Sequence, residues 1–431
     1  MVRRLFLFCT LSVAATFLFA GGQGSSRTTT GRYTGLPDPL QMQSGVIVNS
    51  PEQWFEERRP EIKELFQHYV YGYFPEVQGV RSELVNEDRE VYEGLATYRE
   101  LKLWISTGSG ELPLPMTLAL FTPNKADGPV PVFVTINRCG NHSVSPYPGI
   151  TINPDMPPGG WCRGRGSHQN FWSVKMVLER GYAFATFHQS ELDRDQLDPG
   201  DGIHGLLNMA SESEGSMWGT IAAWAWGFSR AIDYLVTDER IDDSCISVVG
   251  HSRRGKAAIL AAAFDERIAL AIPHQSGTGG DALSRGVFQE PVFIMNTTFP
   301  NWFNDTFKSY NFRIDRLPVD QHMLIALVAP RTVLTIASES YWWAGYESSL
   351  RSLRAATPVY RLLGATGVQG RGLVMEGEDI STSPVGDLVQ YRRAQGHRID
   401  PEYWSVYLDF ADRRFSRDNN TLQIAGNEAE K

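Results

Sequence analysis

The sequence predicts an α/β fold in which a mostly parallel central sheet carries helices on both faces, as a three-layer sandwich. Two observations support this prediction. Short apolar segments alternate with helical segments along most of the chain, which is the pattern of strand–helix–strand units. The segment from Val130 to Ile136 is almost wholly apolar, as expected for a central strand that is buried on both faces.

Length and composition fit one large domain with insertions. The chain has 431 residues, of which 42% are hydrophobic, so a substantial core is available. Its net charge is −9 and it has no basic tract, which excludes nucleic acid as an expected partner. The Cys and His residues show none of the spacings of metal sites, and we expect neither a metal nor another cofactor.

The N-terminus has the pattern of a secretory signal peptide over residues 1–21. Arg3 and Arg4 precede an apolar stretch, and small residues follow Ala20, where cleavage would fall. An uncleaved membrane anchor is the alternative, but the apolar run is short for a span and no second run exists. We therefore expect a secreted or periplasmic protein with no stable membrane span after signal removal. Residues 22–34 are rich in Gly, Ser and Thr and predict a disordered linker.

The catalytic domain is expected over residues 35–416, followed by a polar C-terminal tail over 417–431. Ser50 before Pro51 is a helix start, and Pro60 begins a second helix over 61–71. Predicted strands then span 84–86, 98–105, 116–121, 130–136, 183–187, 246–249, 269–273 and 333–337, and predicted helices span 170–180, 217–235, 256–264, 322–329, 354–363 and 404–415.

Three cysteines remain after signal cleavage. An odd number leaves at least one thiol free in an exported chain. Cys139 and Cys162 both lie in a glycine-rich loop and could pair, whereas Cys245 opens a strand and is more simply a small buried apolar residue.

The segment Gly250-His251-Ser252-Arg253-Arg254-Gly255-Lys256 carries the strongest functional signal. A β-branched apolar run ends at Gly250, and a helix-forming stretch follows Ser252. A serine on such a strand–turn–helix is the nucleophile of α/β-hydrolases, and the helix N-terminus offers N–H groups to an oxyanion. The usual motif has its second glycine at the position of Arg254, whereas here it comes at Gly255. A serine that only caps the helix is the alternative.

A histidine and an acid should follow the serine in chain order. His397 lies in a loop just before the last predicted helix, which is the expected place for the base. Glu339, one residue past the strand 333–337, is the first candidate for the acid, and Glu347 is the second. The alternatives are a surface loop histidine and solvated glutamates. His274 ends the preceding strand and could line the site, and His251 is expected to point into the fold.

With these residues in place, the chain resembles the bacterial glucuronoyl esterases of carbohydrate esterase family fifteen, from about Gly35 to Phe415. The nucleophile segment matches the family pattern serine-arginine-x-glycine-lysine, which accounts for the displaced glycine. Further similar segments are Leu36-Pro37-Asp38-Pro39-Leu40, Pro273-His274-Gln275-Ser276-Gly277, Leu317-Pro318-Val319-Asp320-Gln321-His322, Ala329-Pro330-Arg331, Pro358-Val359-Tyr360 and Leu408-Asp409-Phe410-Ala411-Asp412.

The resemblance implies an α/β-hydrolase fold and roles for individual residues. It implies Ser252 as nucleophile, His397 as base, Arg253 as oxyanion stabiliser, Lys256 as a contact to uronate hydroxyls and Trp342 as the sugar-stacking tryptophan. Lys256 lies one helical turn past Ser252 and therefore on the same helix face, although a solvated lysine is the alternative. The register of Trp342 against Trp343 stays open.

Three positions depart from the family pattern. Gln275 stands where fungal members carry the acid, and Ser340 takes the second place of an acidic pair found in many bacterial members. Phe299, three residues before Trp302, replaces a further glutamate of fungal members. These departures leave the triad acid and the sugar specificity open, and His274 and Gln275 remain candidates for substrate binding.

The sequence thus predicts an exported serine esterase that hydrolyses esters of (4-O-methyl-)glucuronic acid by an acyl-enzyme mechanism. The expected partner is a glucuronate-bearing polysaccharide such as glucuronoxylan or its lignin ester. One alternative is an esterase for another acylated or uronate-containing polysaccharide. A second alternative is a carbohydrate-binding homologue that has lost turnover.

Overall fold

The computed structural model describes residues 35–108, 110–153, 161–197, 202–207, 218–286 and 289–428, with side chains up to residue 415. The compact unit of the chain begins at Gly35. The predicted signal peptide and linker, residues 1–34, lie outside the described residues.

One mixed sheet forms the centre of this unit. Its strands are β1 (Gly79–Glu90), β2 (Ala96–Thr107), β3 (Gly110–Glu111), β4 (Met116–Pro123), β5 (Val130–Asn137), β6 (Ala183–His188), β7 (Ile241–His251), β8 (Ile268–His274), β9 (Thr332–Ser338), β10 (Leu373–Met375) and β11 (Leu388–Arg393). They lie in the order β1-β2-β4-β6-β5-β7-β8-β9-β11-β10, and β3 pairs with β2.

The direction of the strands changes within the sheet. The pairs β1–β2, β2–β4 and β4–β6 are antiparallel. From β6 through β5, β7, β8, β9 and β11 to β10, every neighbouring pair is parallel. The prediction of a mostly parallel central sheet is confirmed, and the antiparallel part is confined to the N-terminal strands.

Helices cover both faces of the sheet. They are α1 (Pro51–Gln53), α2 (Arg59–Phe66), α3 (Val91–Gly94), α4 (Gln169–Trp172), α5 (Val174–Glu179), α6 (Gly202–Leu206), α7 (Thr220–Leu235), α8 (Arg253–Phe264), α9 (Val292–Thr298), α10 (Asp305–Lys308), α11 (Gln321–Ala326), α12 (Tyr346–Leu362) and α13 (Pro401–Glu428). Helices α7, α8, α11 and α12 supply buried residues to one core, and α4, α5 and α13 supply them to a second.

The two cores divide the side chains of each central strand. In β5, Val132 and Val134 belong to the first core, and Phe133 between them belongs to the second. The same alternation separates Val248 from Val249 in β7. Because successive strand side chains point to opposite faces, an apolar run without polar interruption is what a strand between two helical layers requires.

Several elements differ from the sequence prediction. The strands β10 and β11 were not predicted, because the buried positions of β11 include Gln390, Arg392 and Arg393 rather than an apolar run. The predicted helix over 170–180 is two helices, separated by Ser173 in the left-handed conformation. The last helix, predicted over 404–415, runs from Pro401 to Glu428 and includes most of the polar C-terminal segment.

Candidate active site

The turn at Ser252 has the strained geometry of a nucleophile elbow. Strand β7 ends at His251 and α8 begins at Arg253, which leaves Ser252 alone between them with φ 60° and ψ −128°. Its N–H donates to the carbonyl oxygen of His274, 2.8 Å away at the end of β8. A serine at positive φ is costly unless the surroundings enforce it. Here the strand–helix junction enforces it, and the side chain faces a cleft.

The two glycines of the motif permit this sharp turn. A Cβ atom at Gly250 would lie 2.0 Å from the carbonyl oxygen of Arg254. A Cβ atom at Gly255 would lie 2.9 Å from both the carbonyl oxygen of Gly250 and the Cβ of Ser276. Strand and helix therefore meet closely at residue 255, which is why the motif tolerates arginine at 254 and requires glycine one position later.

Substitution of Gly255 by alanine is expected to destabilise the fold by about 1–3 kcal/mol, the usual cost of an overpacked core position. The matched control is Gly128→Ala, since a Cβ atom there meets no other atom within 4 Å. Urea unfolding of both variants measures the difference. Equal stability of the Gly255→Ala and Gly128→Ala proteins would contradict this account of the displaced glycine.

The cleft in front of Ser252 has a volume of about 450 Å³. Two walls flank the nucleophile segment. The first comes from the loop after β5 and from α4, and the second from the segments that follow β8 and β9. Lining residues are Arg138, Cys139, Ser143, Trp161, His168, Phe171, Trp172, Asp195, His251, Ser252, Arg253, Arg254, Lys256, Gln275, Ser276, Glu290, Phe299, Trp302, Tyr341, Trp343, Ala344 and His397.

His397 reaches this cleft from the loop between β11 and α13, as the sequence predicts for the base. Its imidazole lies between two rings, with centroids 4.1 Å from Tyr341 and 4.3 Å from His251. Burial, together with the positive charges of Arg254, Arg253 and Lys256, lowers the pKa of His397 to about 4. The imidazole is therefore neutral at pH 7 and able to accept a proton.

The lowered pKa of His397 predicts the pH dependence of turnover. A base acts in its deprotonated form, so lowering its pKa extends activity toward acid. For an ester substrate, kcat/KM should stay flat from about pH 5 to pH 8 and fall with a midpoint near pH 4, rather than near the unperturbed histidine value of about 6.5. Return of acid-treated enzyme to pH 7 controls for unfolding. A reversible midpoint above pH 6 would contradict the prediction.

The structure does not bring Glu339, the first candidate for the acid, to His397. Strand β9 extends to Ser338, and the alternation of side chains turns Ser338 toward the His397 loop, where its hydroxyl donates to the carbonyl oxygen of Gln395. Glu339 points away, is 44% exposed and lies 3.9 Å from Arg392. The second candidate, Glu347, is 63% exposed and also pairs with Arg392, at 2.9 Å.

Glu339→Gln is therefore expected to retain kcat/KM within about threefold of the wild-type value, since exposed ion pairs contribute little. Glu347→Gln serves as the matched control, because both carboxylates face the same guanidinium. Ester hydrolysis at pH 7 measures both. A loss of a hundredfold or more in Glu339→Gln, with Glu347→Gln unchanged, would restore Glu339 as the triad acid.

Arg253 is fixed at the cleft by a carboxylate and two aromatic rings. Its guanidinium forms an ion pair with Asp195 and lies 4.6 Å above the ring of Phe299 and 4.5 Å above that of Trp302. The Trp302 Nε1–H donates to Asp195 at 2.8 Å, so the carboxylate holds the ring and the guanidinium together. These contacts hold a positive charge at the cleft beside Ser252, where the resemblance predicts an oxyanion stabiliser.

Lys256 lies in the same cleft but is nearly fully buried. Its ammonium donates to the carbonyl oxygens of Ser276 and Thr278 and to the carboxylate of Glu290, 3.0 Å away. Its three protons therefore already have acceptors within the protein. Glu290 and Trp343 share this end of the cleft with Lys256.

Trp342 and Trp343 are placed differently relative to the cleft. Trp343 lines the cleft, whereas Trp342 is 57% exposed and is not among the cleft-lining residues. Residues 342–344 form one helical turn that ends at Gly345, with φ 64°. Within this turn, the rings of Trp342 and Trp343 lie at 79° to each other. The role of Trp342 in sugar stacking stays a prediction, and Trp343 is the neighbouring tryptophan that lines the cleft.

Of the two further substrate-binding candidates, only Gln275 lines the cleft. Its amide donates to the carbonyl oxygen of Gly396, 3.2 Å away, directly before His397. His274 is fully buried beneath the cleft, and its Nδ1 bonds the hydroxyl of Tyr407. His251, expected to point into the fold, lines the cleft instead.

A disulfide joins Cys139 to Cys162 and closes part of the first wall. Trp161, next to Cys162, is 57% exposed and packs on His168. Cys245 lies outside this disulfide. The described part of the chain holds no cluster of three His, Cys, Asp or Glu side chains suited to a metal ion.

Asp195, Glu290 and Tyr341 were missed by sequence reasoning, although each contacts or lines the same cleft. Asp195 and Glu290 come from long polar loops, in which a single carboxylate carries no signal. Tyr341 directly follows the segment searched for an acid, and only its aromatic ring could have marked it.

The fold and the cleft define a carboxylic ester hydrolase of the α/β-hydrolase class. A family model described as "Glucuronyl esterase, fungi" matches residues 169–364. Carbohydrate esterase MZ0003, from an unknown prokaryotic organism, is 36% identical over 405 residues, which cover 89% of this chain and 90% of that protein. The chain belongs to this family, the glucuronoyl esterases of carbohydrate esterase family 15, and resembles its bacterial members.

Solved structures support the same assignment. A promiscuous CE15 esterase from the marine bacterial metagenome has a TM-score of 0.77 at 34% identity and covers 89% of this chain and 98% of its own. A glucuronoyl esterase from Solibacter usitatus has a TM-score of 0.78 at 33% identity, with coverages of 89% and 98%. Within the described residues, no helix combines the length and apolar character needed to cross a bilayer.

Proposed function

We propose that this enzyme hydrolyses esters of glucuronic acid through an acyl-enzyme at Ser252. The Ser252 hydroxyl attacks the ester carbonyl carbon while His397 accepts its proton. The tetrahedral intermediate collapses, and the alcohol leaves with the proton from His397. Water, deprotonated by His397, then attacks the acyl-enzyme and releases the uronic acid and free Ser252. Arg253 and the N–H groups at the start of α8 stabilise the oxyanion.

One observation supports this proposal most strongly. Ser252, His397 and Arg253 line a cleft that also contains Lys256, Glu290 and Trp343. A tryptophan ring beside hydrogen-bonding charged groups is suited to a sugar, which offers an apolar ring face and a rim of hydroxyls. Since the donors of Lys256 are occupied within the protein, the pair Lys256–Glu290 would meet sugar hydroxyls chiefly through Glu290.

The name of a relative supports glucuronate as the uronate. One curated relative, a 4-O-methyl-glucuronoyl methylesterase from Schizophyllum commune, is 29% identical over 340 residues, with 76% of this chain and 74% of that protein covered. We propose that this chain acts on (4-O-methyl-)glucuronate side chains of glucuronoxylan esterified to lignin alcohols. The signal-like N-terminus supports export of the enzyme to the periplasm or the medium.

Hydrolysis of benzyl glucuronate by the purified protein tests the proposal. We expect wild type to release glucuronic acid and benzyl alcohol in equal amounts, and Ser252→Ala to release neither above the uncatalysed rate. Turnover of methyl glucuronate and of the galacturonate epimer measures how strongly the rate depends on the alcohol and on the sugar. Absence of turnover on every uronate ester, with sugar binding retained, would indicate a binding protein and contradict the proposal.

A second candidate is an esterase with a broader range of acylated or uronate-containing polysaccharides. Phe299 supports it, because its ring stacks on Trp302 with centroids 3.9 Å apart and gives the cleft an apolar surface where fungal relatives carry a glutamate. An apolar surface discriminates poorly among hydroxyl patterns. Comparable kcat/KM values for the glucuronate and galacturonate esters would favour this candidate.

A further inference from the structure

The imidazole of His397 lacks the partner that a catalytic histidine ordinarily has. A carboxylate normally fixes the orientation of the ring and stabilises the imidazolium formed during reaction. Among the described residues, no carboxylate hydrogen-bonds the ring of His397, and its Nε2 is buried without a partner. The positive charges of Arg254, Arg253 and Lys256 all oppose protonation of the His397 imidazole. Another group must favour the imidazolium.

The ring of Tyr341 is in position to do so. It lies parallel to the imidazole, at an interplanar angle of 13° and a centroid distance of 4.1 Å. On the opposite side, the ring of His251 lies 4.3 Å away at 37°. The imidazole is thus enclosed between two aromatic faces, and rotation about its side-chain bonds would drive it into one of them.

The two faces are not equivalent toward a positive charge. The electron-rich face of a tyrosine attracts a cation within about 6 Å, more strongly where water is excluded. Burial raises the pKa of Tyr341, so its phenol stays neutral. Burial and the neighbouring His397, His274 and Arg254 hold the pKa of His251 far below its usual range, so this ring adds no charge at neutral pH. Stabilisation of the imidazolium therefore comes from the Tyr341 side.

The backbone around His397 is anchored independently of Tyr341. Gln275 donates to the carbonyl oxygen of Gly396, and Ser338 donates to that of Gln395. These bonds fix the loop but do not touch the imidazole. The orientation of the ring itself is left to the stack.

We propose that Tyr341 is a positioning residue that holds the plane of the His397 imidazole and stabilises its protonated form, in the place of a triad carboxylate. The proposal rests on His397 being the base of the proposed esterase. It assigns Tyr341 a part in catalysis even for substrates that make no sugar contact.

The test uses diisopropyl fluorophosphate, which needs Ser252 and its base but no sugar site. The Ser252 oxygen forms a bond to phosphorus, fluoride leaves, and the hydroxyl proton passes to His397. We expect Ser252 of the Tyr341→Phe protein to be phosphorylated at a rate within about threefold of wild type, because the phenylalanine ring still stacks on His397. Tyr341→Leu, which fills similar space without a π face, should be slower by roughly tenfold. Tyr73→Leu, the same change at a tyrosine that does not line the cleft, is the matched control and should match wild type.

The pH profile of the same reaction separates stabilisation of the imidazolium from simple packing. Loss of the π face should move the acid midpoint of Tyr341→Leu below that of wild type. A loosened, hydrated site would move it up, toward about 6.5. An unchanged rate or an upward shift in Tyr341→Leu would overturn the proposal.

A variant without a change of shape guards against misfolding. Pentafluorophenylalanine at position 341 keeps the ring and reverses its quadrupole, so it should slow phosphorylation relative to Tyr341→Phe. Equal rates would also overturn the proposal. If wild type itself is not phosphorylated at Ser252, as read by mass spectrometry, the proposed esterase mechanism fails rather than the role of Tyr341.

Discussion

Substitution of Ser252 by alanine should lower kcat/KM for a glucuronate ester by at least about 10⁴-fold, since it removes the nucleophile and leaves only binding and the oxyanion site. The structure indicates that this loss would be chemical and not structural. The turn at Ser252 is enforced by Gly250, Gly255 and the bond from its own N–H to His274, none of which uses the hydroxyl.

Thermal unfolding and binding of glucuronic acid, measured together with turnover, complete this test. Both should be close to wild type in Ser252→Ala. Ser244→Ala is the matched control, because Ser244 lies on the same strand, near the surface, where it bonds only Asp242 and Cys245. Turnover by Ser252→Ala within a hundredfold of wild type would show that another group is the nucleophile.

Substitution of Arg253 by methionine should have the second largest effect, a fall in kcat of about 10²–10³-fold with a much smaller change in KM. The guanidinium is already held by Asp195, Phe299 and Trp302 before substrate binds. A charge fixed in advance acts on the oxyanion without reorganising, and this benefit is realised only in the transition state.

Arg253→Lys distinguishes charge from geometry. Lysine keeps the positive charge but lacks the planar group that pairs with Asp195 and packs against the stacked rings of Phe299 and Trp302 at the same time. We expect its kcat to lie between those of Arg253→Met and wild type. A rise in KM with unchanged kcat in Arg253→Met would instead assign Arg253 to substrate binding alone.

The sequence predicts correctly those strands whose buried side chains are apolar. The runs Val130 to Ile136 and Ile246 to Val249 are the strands β5 and β7, because both faces of the central sheet are covered. Strand β11 escaped this reasoning. Arg392 and Arg393 are buried in it and form ion pairs with glutamates and an aspartate outside the strand, a feature that periodicity does not show.

Within the site, the residues that could be predicted from the sequence are those whose position depends on local chain geometry. The elbow at Ser252 and the loop of His397 belong to this kind. The sequence could not show whether Glu339 reaches His397, because this depends on where β9 ends. One additional strand residue turns Ser338 inward and Glu339 outward. Asp195 and Tyr341 reach the cleft through tertiary contacts alone, to Arg253 and to His397.

The central claim is that this enzyme recognises the uronic acid side of an ester and cleaves it at Ser252. The most direct test is the ratio of kcat/KM for benzyl glucuronate to that for acetylated xylan or a simple acetate ester, measured with wild type and Ser252→Ala. We predict a strong preference for the glucuronate ester and loss of both activities in Ser252→Ala. Equal or better hydrolysis of the acetate esters, or activity that survives in Ser252→Ala, would contradict the account.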